Sequence, residues 1–139
     1  MRTMGLDYGS KTVGVAVSDP FGWTAQPIET VTRKDEANLV STIERLREII
    51  DQFNVEKIVL GLPKNMNNTE GERVALTEKF QRRIIKEFGL EVVMWDERLS
   101  TMGASRVLDE AHMRKRNQKK VIDKLAAVFI LQGYLDCGK

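Results

Sequence analysis

The pattern of apolar residues predicts three strands in the first quarter of the chain. Residues 3–8, 12–18 and about 24–31 are rich in β-branched residues. Glycine and proline separate these segments, and such punctuation is typical of tight turns between strands. The beginning of the chain is therefore predicted to form a three-strand meander.

The middle of the chain changes to a helical pattern and then returns to an extended one. Apolar residues recur at helical spacing from Asp35 to Phe53, and Asp35 is predicted to cap this helix. Lys57–Leu62 is a continuous apolar run, which is expected of a strand buried on both faces. This segment is therefore predicted to be a fourth strand.

The second half repeats the alternation of helix and strand. Thr69 and Glu72 have the spacing of a capping box, which predicts a helix that ends at Gly89. Residues 90–95 are predicted to form a fifth strand. A short helix over about 100–110 and a final helix over about 118–135 complete the pattern.

A meander followed by βα units predicts an α/β fold: a mixed five-stranded sheet flanked by helices. Short connections and right-handed crossovers favour the strand order 3-2-1-4-5, with the first strand in the centre. The length of 139 residues fits one domain over residues 1–139. In such sheets the carboxyl ends of the strands form the usual crevice for a site.

Composition restricts the function classes only weakly. Lys and Arg number 22 against 20 Asp and Glu, and a net charge of +2 is too small to indicate nucleic acid by itself. No run approaches a membrane span, and the first residues lack the apolar segment of a signal peptide. The single cysteine, Cys137, cannot form an internal disulfide. We therefore expect a cytoplasmic protein with no membrane partner.

Asp7 is the first candidate for chemistry. It follows apolar residues of the first strand, within Gly5–Gly9, so its carboxylate is predicted to lie at the mouth of a glycine turn. It could serve there as a metal ligand, or it could accept hydrogen bonds from the backbone N–H groups of the turn.

Two further acidic positions could reach the same edge of the sheet. Asp96 and Glu97 follow the fifth strand, and the period-two rule puts them on opposite faces. One of them could instead cap the next helix or pair with Arg98. Asp123 lies in the apolar final helix beside the small residues Ala126 and Ala127, where it could also complement the helix dipole.

The convergence of these carboxylates favours a metal site over the alternatives. Carboxylates from a central strand, a neighbouring strand end and an inward-facing helix can meet at one edge of the sheet, and a buried carboxylate needs a partner. Hard oxygen ligands suit Mg²⁺ or Mn²⁺, and no His/Cys cluster offers a zinc site. The only histidine, His112, lies in a charged stretch, which favours a surface role.

Four blocks together resemble the YqgF (RuvX) family of the RNase H-like superfamily, in order and over essentially the whole chain. The blocks are Gly5–Gly9, Gly61–Lys64, Asp96–Thr101 and Asp123–Gln132. The resemblance implies an RNase H-like fold and a nuclease for the 5′ end of pre-16S ribosomal RNA, or alternatively a Holliday-junction resolvase. Carried over by position, it implies that the acidic site consists of Asp7, Glu97 and Asp123.

The chain departs from the wider superfamily at its fourth strand. RNase H-like nucleases usually carry their second acid there, whereas Lys57–Leu62 has none. The acid would come instead from Glu97, across Gly61, over a gap of roughly 10 Å between strands. Gly61 is therefore interpreted as clearance, and two metal ions about 4 Å apart could bridge the remaining distance. The predicted chemistry is two-metal phosphodiester hydrolysis.

Positive charge near these acids predicts nucleic-acid contacts. The densest basic run leads directly into the helix of Asp123, and a polar loop follows the fourth strand. Candidate contact residues are Lys11, Lys64, Asn65, Arg98, Arg114, Lys115, Arg116, Lys119 and Lys120. Core packing is the favoured interpretation of Trp23 and Trp95, although either could stack on a base.

Rival functions remain open at this point. They are a resolvase acting on branched DNA and a non-catalytic nucleic-acid-binding domain. Phosphate contacts do not distinguish precursor rRNA from DNA. An actin-like ATPase is set aside, because such enzymes close two lobes around the nucleotide. We expect a monomer or a weak homodimer, and a strictly monomeric protein would count against the resolvase.

Overall fold

The computed structural model describes residues 2–9, 12–32, 38–62, 70–96 and 115–137, with the backbone alone described at 62, 70–73, 96 and 115–124. In these ranges five strands and three helices follow one another in the predicted order. The strands are β1 (Arg2–Tyr8), β2 (Thr12–Ser18), β3 (Ala25–Thr32), β4 (Val55–Leu62) and β5 (Glu91–Asp96). The helices are α1 (Val40–Phe53), α2 (Glu70–Phe88) and α3 (Lys115–Cys137).

The strand order is β3-β2-β1-β4-β5, so the predicted α/β topology is confirmed. β1 pairs with β2 antiparallel and with β4 parallel. β2 pairs with β3 antiparallel, and β4 pairs with β5 parallel. The sheet is therefore mixed, and β1 is its central strand.

The predicted start of the first helix is wrong. Asn38 and Leu39 are not helical, and α1 begins at Val40 instead of Asp35. The side-chain oxygen of Asn38 accepts a hydrogen bond from the Val40 N–H at 3.3 Å, so Asn38 provides the polar oxygen at this end. The predicted end of the second helix is confirmed: Gly89 has φ +67° and donates its N–H to Ile85. The predicted helix over 100–110 lies outside the described residues.

Large residues cover one face of the sheet and small residues the other. Alternate positions of β1, β2 and β4 pack in one core with buried residues of α1 and α2. That core includes Met4, Leu6, Tyr8, Val13, Val15, Ile58, Leu60, Leu46 and Phe80. The opposite face carries Gly5, Ala16 and Val59 side by side. α3 packs against this second face through Ala127, Ile130, Leu131 and Leu135.

The small residues let α3 approach the sheet closely. A Cβ atom added at Gly5 would lie 2.7 Å from the Leu131 Cβ atom and 2.9 Å from the Ala127 carbonyl oxygen. Real Cβ atoms do not reach such distances, so only glycine fits here. Ala127, on the side of α3 that contacts the sheet, is fully buried.

An ion pair connects the edge strand β3 to α1. The Arg45 guanidinium donates to both carboxylate oxygens of Glu29, with its Nε atom 3.1 and 3.0 Å away, and also contacts Glu48. The hydrogen bonds from Arg45 hold the pKa of Glu29 below its ordinary value. None of the described helices is long and apolar enough to cross a membrane.

Candidate functional site

Asp7 lies between two glycine positions on the face of the sheet covered by α3. It is half-buried and is paired across the sheet with Gly14 of β2. On the other side, Leu6 pairs with Leu60, so the next position of this parallel register brings Gly61 of β4 beside Asp7. Because both neighbours are glycine, no side chain from either position lies beside the Asp7 carboxylate along this row.

The same row continues to Trp95 of β5, which pairs with Gly61. The Trp95 indole lies against α3, where a Cβ atom added at Gly133 would be 3.2 Å from its Nε1 atom. The indole also packs edge to face against the Tyr134 ring, and the centroids of the two rings are 6.1 Å apart. Asp7 and Trp95 are two strands apart, about 10 Å. Gly61 therefore lies between Asp7 and Trp95 in this row.

The carboxylate of Asp7 makes no hydrogen bond or ion pair with any part of the chain that the structure describes. The turn that follows β1 is closed instead by the Gly9 N–H, which donates to the Thr12 carbonyl oxygen at 2.7 Å. The turn residues Ser10 and Lys11 lie outside the described residues, so the alternative function of Asp7, acceptance of hydrogen bonds from this turn, stays a prediction. Burial without a partner is costly for a carboxylate, so this group is suited to bind a cation.

The direction of α3 determines which of its residues lie near Asp7. The Nζ atom of Lys57 at the start of β4 donates to the Tyr134 hydroxyl at 3.1 Å, and Lys57 pairs with Thr3. Two residues further along β1, Gly5 contacts Leu131 and Ala127 of α3. α3 therefore runs antiparallel to β1. Its earlier turns lie towards the carboxyl end of β1, the end that carries Asp7.

The backbone of Asp123 belongs to these earlier turns of α3. It precedes Ala127 by four residues, and residues four apart lie on the same face of a helix. Position 123 is therefore one turn closer than Ala127 to the carboxyl end of β1. The role of its carboxylate as a metal ligand stays a prediction.

The other predicted site residues have no described side chains. Glu97 and Arg98, with Lys11, Lys64, Asn65 and Arg114, lie outside the described residues altogether. For Lys115, Arg116, Lys119 and Lys120, the structure gives only backbone positions in the first turns of α3. Within the described part of the chain, no group of three or more His, Cys, Asp or Glu residues is close enough to hold a metal ion.

The two tryptophans differ from each other. Trp95 packs against α3, as predicted for a core residue. The same interpretation is wrong for Trp23, which is 64% exposed in the turn between β2 and β3. The sequence around Trp23 gives no sign of this exposure.

Lys57 was not among the predicted site residues, because it begins an otherwise apolar run. Its ammonium group bonds to Tyr134 and lies 3.5 Å from the Glu91 carboxylate, and both groups raise the pKa of Lys57, Tyr134 most strongly. This contact holds the later turns of α3 on the sheet. The only signal in the sequence is a charged residue at a position that faces the helix.

The described fold is RNase H-like. A solved structure, described as "T. thermophilus RuvC in complex with Holliday junction substrate", aligns with 100% of this chain and 97% of that chain. The TM-score is 0.64 and the sequence identity is 18%, so this similarity concerns the fold alone. It confirms the predicted fold class.

The chain belongs to the RuvX family. The model of this family, described as "Holliday junction resolvase", matches residues 1–137. A relative from Agathobacter rectalis is 54% identical over 136 residues, which cover 98% of this chain and 95% of the relative. A relative from Geobacillus thermodenitrificans is 55% identical, with 98% of each chain covered. Both relatives carry the name "Putative pre-16S rRNA nuclease". The predicted family is confirmed, and so is the prediction of a nuclease at the level of the family.

Proposed function

We propose that this chain is a metal-dependent endonuclease that acts in 5′-end processing of pre-16S ribosomal RNA. The observation that carries this proposal is the Asp7 carboxylate, half-buried in the central strand and flanked by Gly14 and Gly61. A nuclease needs an anionic group with room beside it for a metal ion and a phosphate. The printed names of the relatives support the choice of substrate.

The proposed cofactor is Mg²⁺ or Mn²⁺, with two ions bound. Asp7 would contribute to both ions, and Glu97 and Asp123 would complete the set of carboxylate oxygens, which hard divalent cations prefer. The glycines on both sides of Asp7 fit this role, because they place no side chain beside its carboxylate. When bound, such ions lower the pKa of a water molecule and stabilise the leaving oxygen in phosphodiester hydrolysis.

The residues of the chain would bind and orient the nucleic acid. α3 runs antiparallel to β1, and this direction supports a role for its basic first turns near the Asp7 end of the sheet. Lys115, Arg116, Lys119 and Lys120 lie in those turns. Together with Arg114, they are the proposed phosphate contacts, and Lys11, Lys64, Asn65 and Arg98 are further ones. We expect a cytoplasmic monomer or weak homodimer.

A cleavage assay tests this function. Purified protein is incubated with a precursor rRNA fragment that contains the 5′ end of 16S rRNA, with Mn²⁺, with Mg²⁺ or with EDTA. We expect cleavage only with a divalent ion, and we expect Asp7→Asn to abolish it. Circular dichroism of the variant should match that of the wild type, because Asp7 has no described partner to lose. Undiminished cleavage by Asp7→Asn would exclude the proposed site.

The second candidate is a Holliday-junction resolvase, which the family description and the fold of the RuvC structure favour. A four-way DNA junction in the same assay separates the two functions. Cleavage of the junction at symmetric positions, with no cleavage of the RNA, would favour the resolvase. Because a resolvase presents two sites to a symmetric junction, sedimentation should then show a dimer.

A further inference from the structure

The turn between β2 and β3 exposes two aromatic side chains. Phe21 is 80% exposed and Trp23 is 64% exposed. We call residues 19–24 the aromatic turn. Asp7 pairs with Gly14, and the turn begins five residues further along β2 at Asp19, about 17 Å away. The aromatic turn is therefore at the opposite end of the sheet from the proposed active site.

Hydrogen bonds hold the aromatic turn in one conformation. The Asp19 N–H donates to the Thr24 carbonyl oxygen at 3.0 Å, and the Gly22 N–H donates to the Asp19 carbonyl oxygen at 3.1 Å. The Asp19 carboxylate accepts from the Trp23 N–H at 2.8 Å and from the Thr24 hydroxyl at 3.3 Å. Gly22 has φ +74°, a conformation that favours glycine. The two rings are thus displayed without the disorder of a loose loop, which lowers the entropy cost of binding.

α3 fixes the same turn from the other side through Gln132. Its side-chain oxygen accepts from the Ala25 N–H at 2.9 Å, and its nitrogen donates to the Trp23 carbonyl oxygen at 3.0 Å. The same nitrogen donates to the Asp136 carboxylate at 3.0 Å. Asp136 is exposed, so Gln132 brings a second carboxylate beside the aromatic turn.

The charges around the turn indicate what it binds. The hydrogen bond that Asp19 accepts from the Trp23 N–H is the main cause of its lowered pKa. Asp19 therefore carries its negative charge at neutral pH. A cavity of about 330 Å³ beside Pro20 carries one charge of each sign, from Glu56 and Arg2, so the negative charge of this surface comes from Asp19 and Asp136. Aromatic rings beside carboxylates attract lysine and arginine side chains through cation–π and ionic contacts. RNA phosphates would be repelled by these carboxylates.

We propose that the aromatic turn and Asp136 form a docking surface for a basic segment of a protein bound to the precursor rRNA. The proposal rests on the proposed function, because the RNA of a ribosomal precursor carries proteins that are basic in order to bind it. The surface would hold the nuclease on the assembled particle while the Asp7 end of the sheet faces the RNA.

A binding comparison tests the proposal. The dissociation constant is measured for purified small-subunit precursor particles and for the naked precursor rRNA fragment. The wild type should bind the particle more tightly than the naked RNA. The double variant Phe21→Ala/Trp23→Ala should bind the particle about tenfold more weakly, because truncated interface aromatics commonly cost that much. Its affinity for the naked RNA should not change.

Two further variants sharpen the comparison. Asp136→Asn keeps an oxygen for Gln132 but removes the charge, so binding to the particle should weaken about threefold and depend less on salt. Val40→Ala removes an equally accessible apolar side chain on α1, which is 55% exposed, and should change neither affinity.

Three results would overturn the proposal. Equal loss of affinity for particle and naked RNA would make the turn an RNA-binding surface. Unchanged affinity for both would show that the turn does not dock. A lower sedimentation coefficient of the free double variant would assign the turn to self-association. Cleavage of naked RNA by the wild type is measured in parallel, and its absence would refute the proposed function without affecting the binding comparison.

Discussion

Gly5 and Leu131 are in contact at the point where the central strand meets the last helix. A Cβ atom at Gly5 would lie 2.7 Å from the Cβ atom of Leu131 and 2.9 Å from a backbone carbonyl oxygen of α3. Neither of these atoms is at the flexible end of a side chain, so the helix itself would have to move. The position of α3, and with it of Asp123, thus depends on the absence of a side chain two residues before Asp7.

Gly5→Ala should therefore destabilise the protein by about 1–3 kcal/mol, the usual cost of overpacking. It should also reduce cleavage, because α3 would be displaced from the carboxyl end of β1. Urea unfolding and the assay described above measure both effects. Gly133→Ala is the matched control. Its Cβ atom would be 3.2–3.4 Å from the Trp95 side chain, and the gain in helix propensity offsets this crowding. Equal destabilisation by the two variants would contradict the close contact at Gly5.

Glu97→Gln should reduce metal-dependent cleavage far more than Asp96→Asn. Odd positions of β5 face α3, as Trp95 shows, whereas Val92 and Met94 pack in the core on the other side. If the alternation continues, Glu97 is directed towards the face of the sheet that carries Asp7. Loss of one metal-binding carboxylate should lower the rate at least a hundredfold, a drop that single-turnover assays can measure. The opposite ranking would mean that Asp96 is the ligand.

Replacement of Arg114, Lys115 and Arg116 by alanine should weaken RNA binding and flatten its dependence on salt. Each lost phosphate contact reduces the slope of log affinity against log salt by about one. Fluorescence anisotropy between about 50 and 300 mM KCl would measure this slope. The difference in affinity between the variant and the wild type should be largest at about 50 mM. Lys79→Ala, on the exposed side of α2, serves as the control for a lost surface charge. An unchanged slope would show that the basic run is exposed to solvent and makes no phosphate contacts.

The ion pair between β3 and α1 should make stability depend on acid pH. Arg45 lowers the pKa of Glu29 from its ordinary value of 4.5, so the stabilisation is present above that value. It is lost as the pH falls through the lower pKa of the folded protein. Urea midpoints measured from pH 7 to pH 3 should fall less steeply for Glu29→Gln than for the wild type. Glu48→Gln, at a side chain 66% exposed, should follow the wild type. Parallel curves for all three proteins would exclude a role for Glu29.

The sequence predicted the sheet well because its strands are separated by clear turn residues. β2 and the end of β4 agree with the predicted bounds, and the order of all five strands is as expected. The prediction that Asp35 caps α1 is wrong, because Asn38, which is nearer to the start of α1, supplies the side-chain oxygen instead. Local pattern alone does not rank two polar residues that both precede the same helix.

The site was predicted less completely, because a row of residues across a sheet depends on register. Asp7 and Gly61 were recognised, but the arrangement of Gly14, Asp7, Gly61 and Trp95 in one row follows from pairings between distant segments. The exposure of a side chain also depends on distant parts of the chain. Trp23 resembles a core residue in its immediate sequence, and only the positions of the helices determine that it is exposed.

The late place of α3 in the chain has a consequence for the synthesis of the protein. All five strands leave the ribosome before this helix does, yet among the described elements it is this helix that covers Gly5 and Ala16. A nascent chain can therefore pair its strands while one face of the sheet stays bare, and contacts between such distant segments form slowly. Asp7 gains its helix only after α3 has been translated. Cleavage is thus expected only once α3 has left the ribosome, and not while the strands alone have emerged.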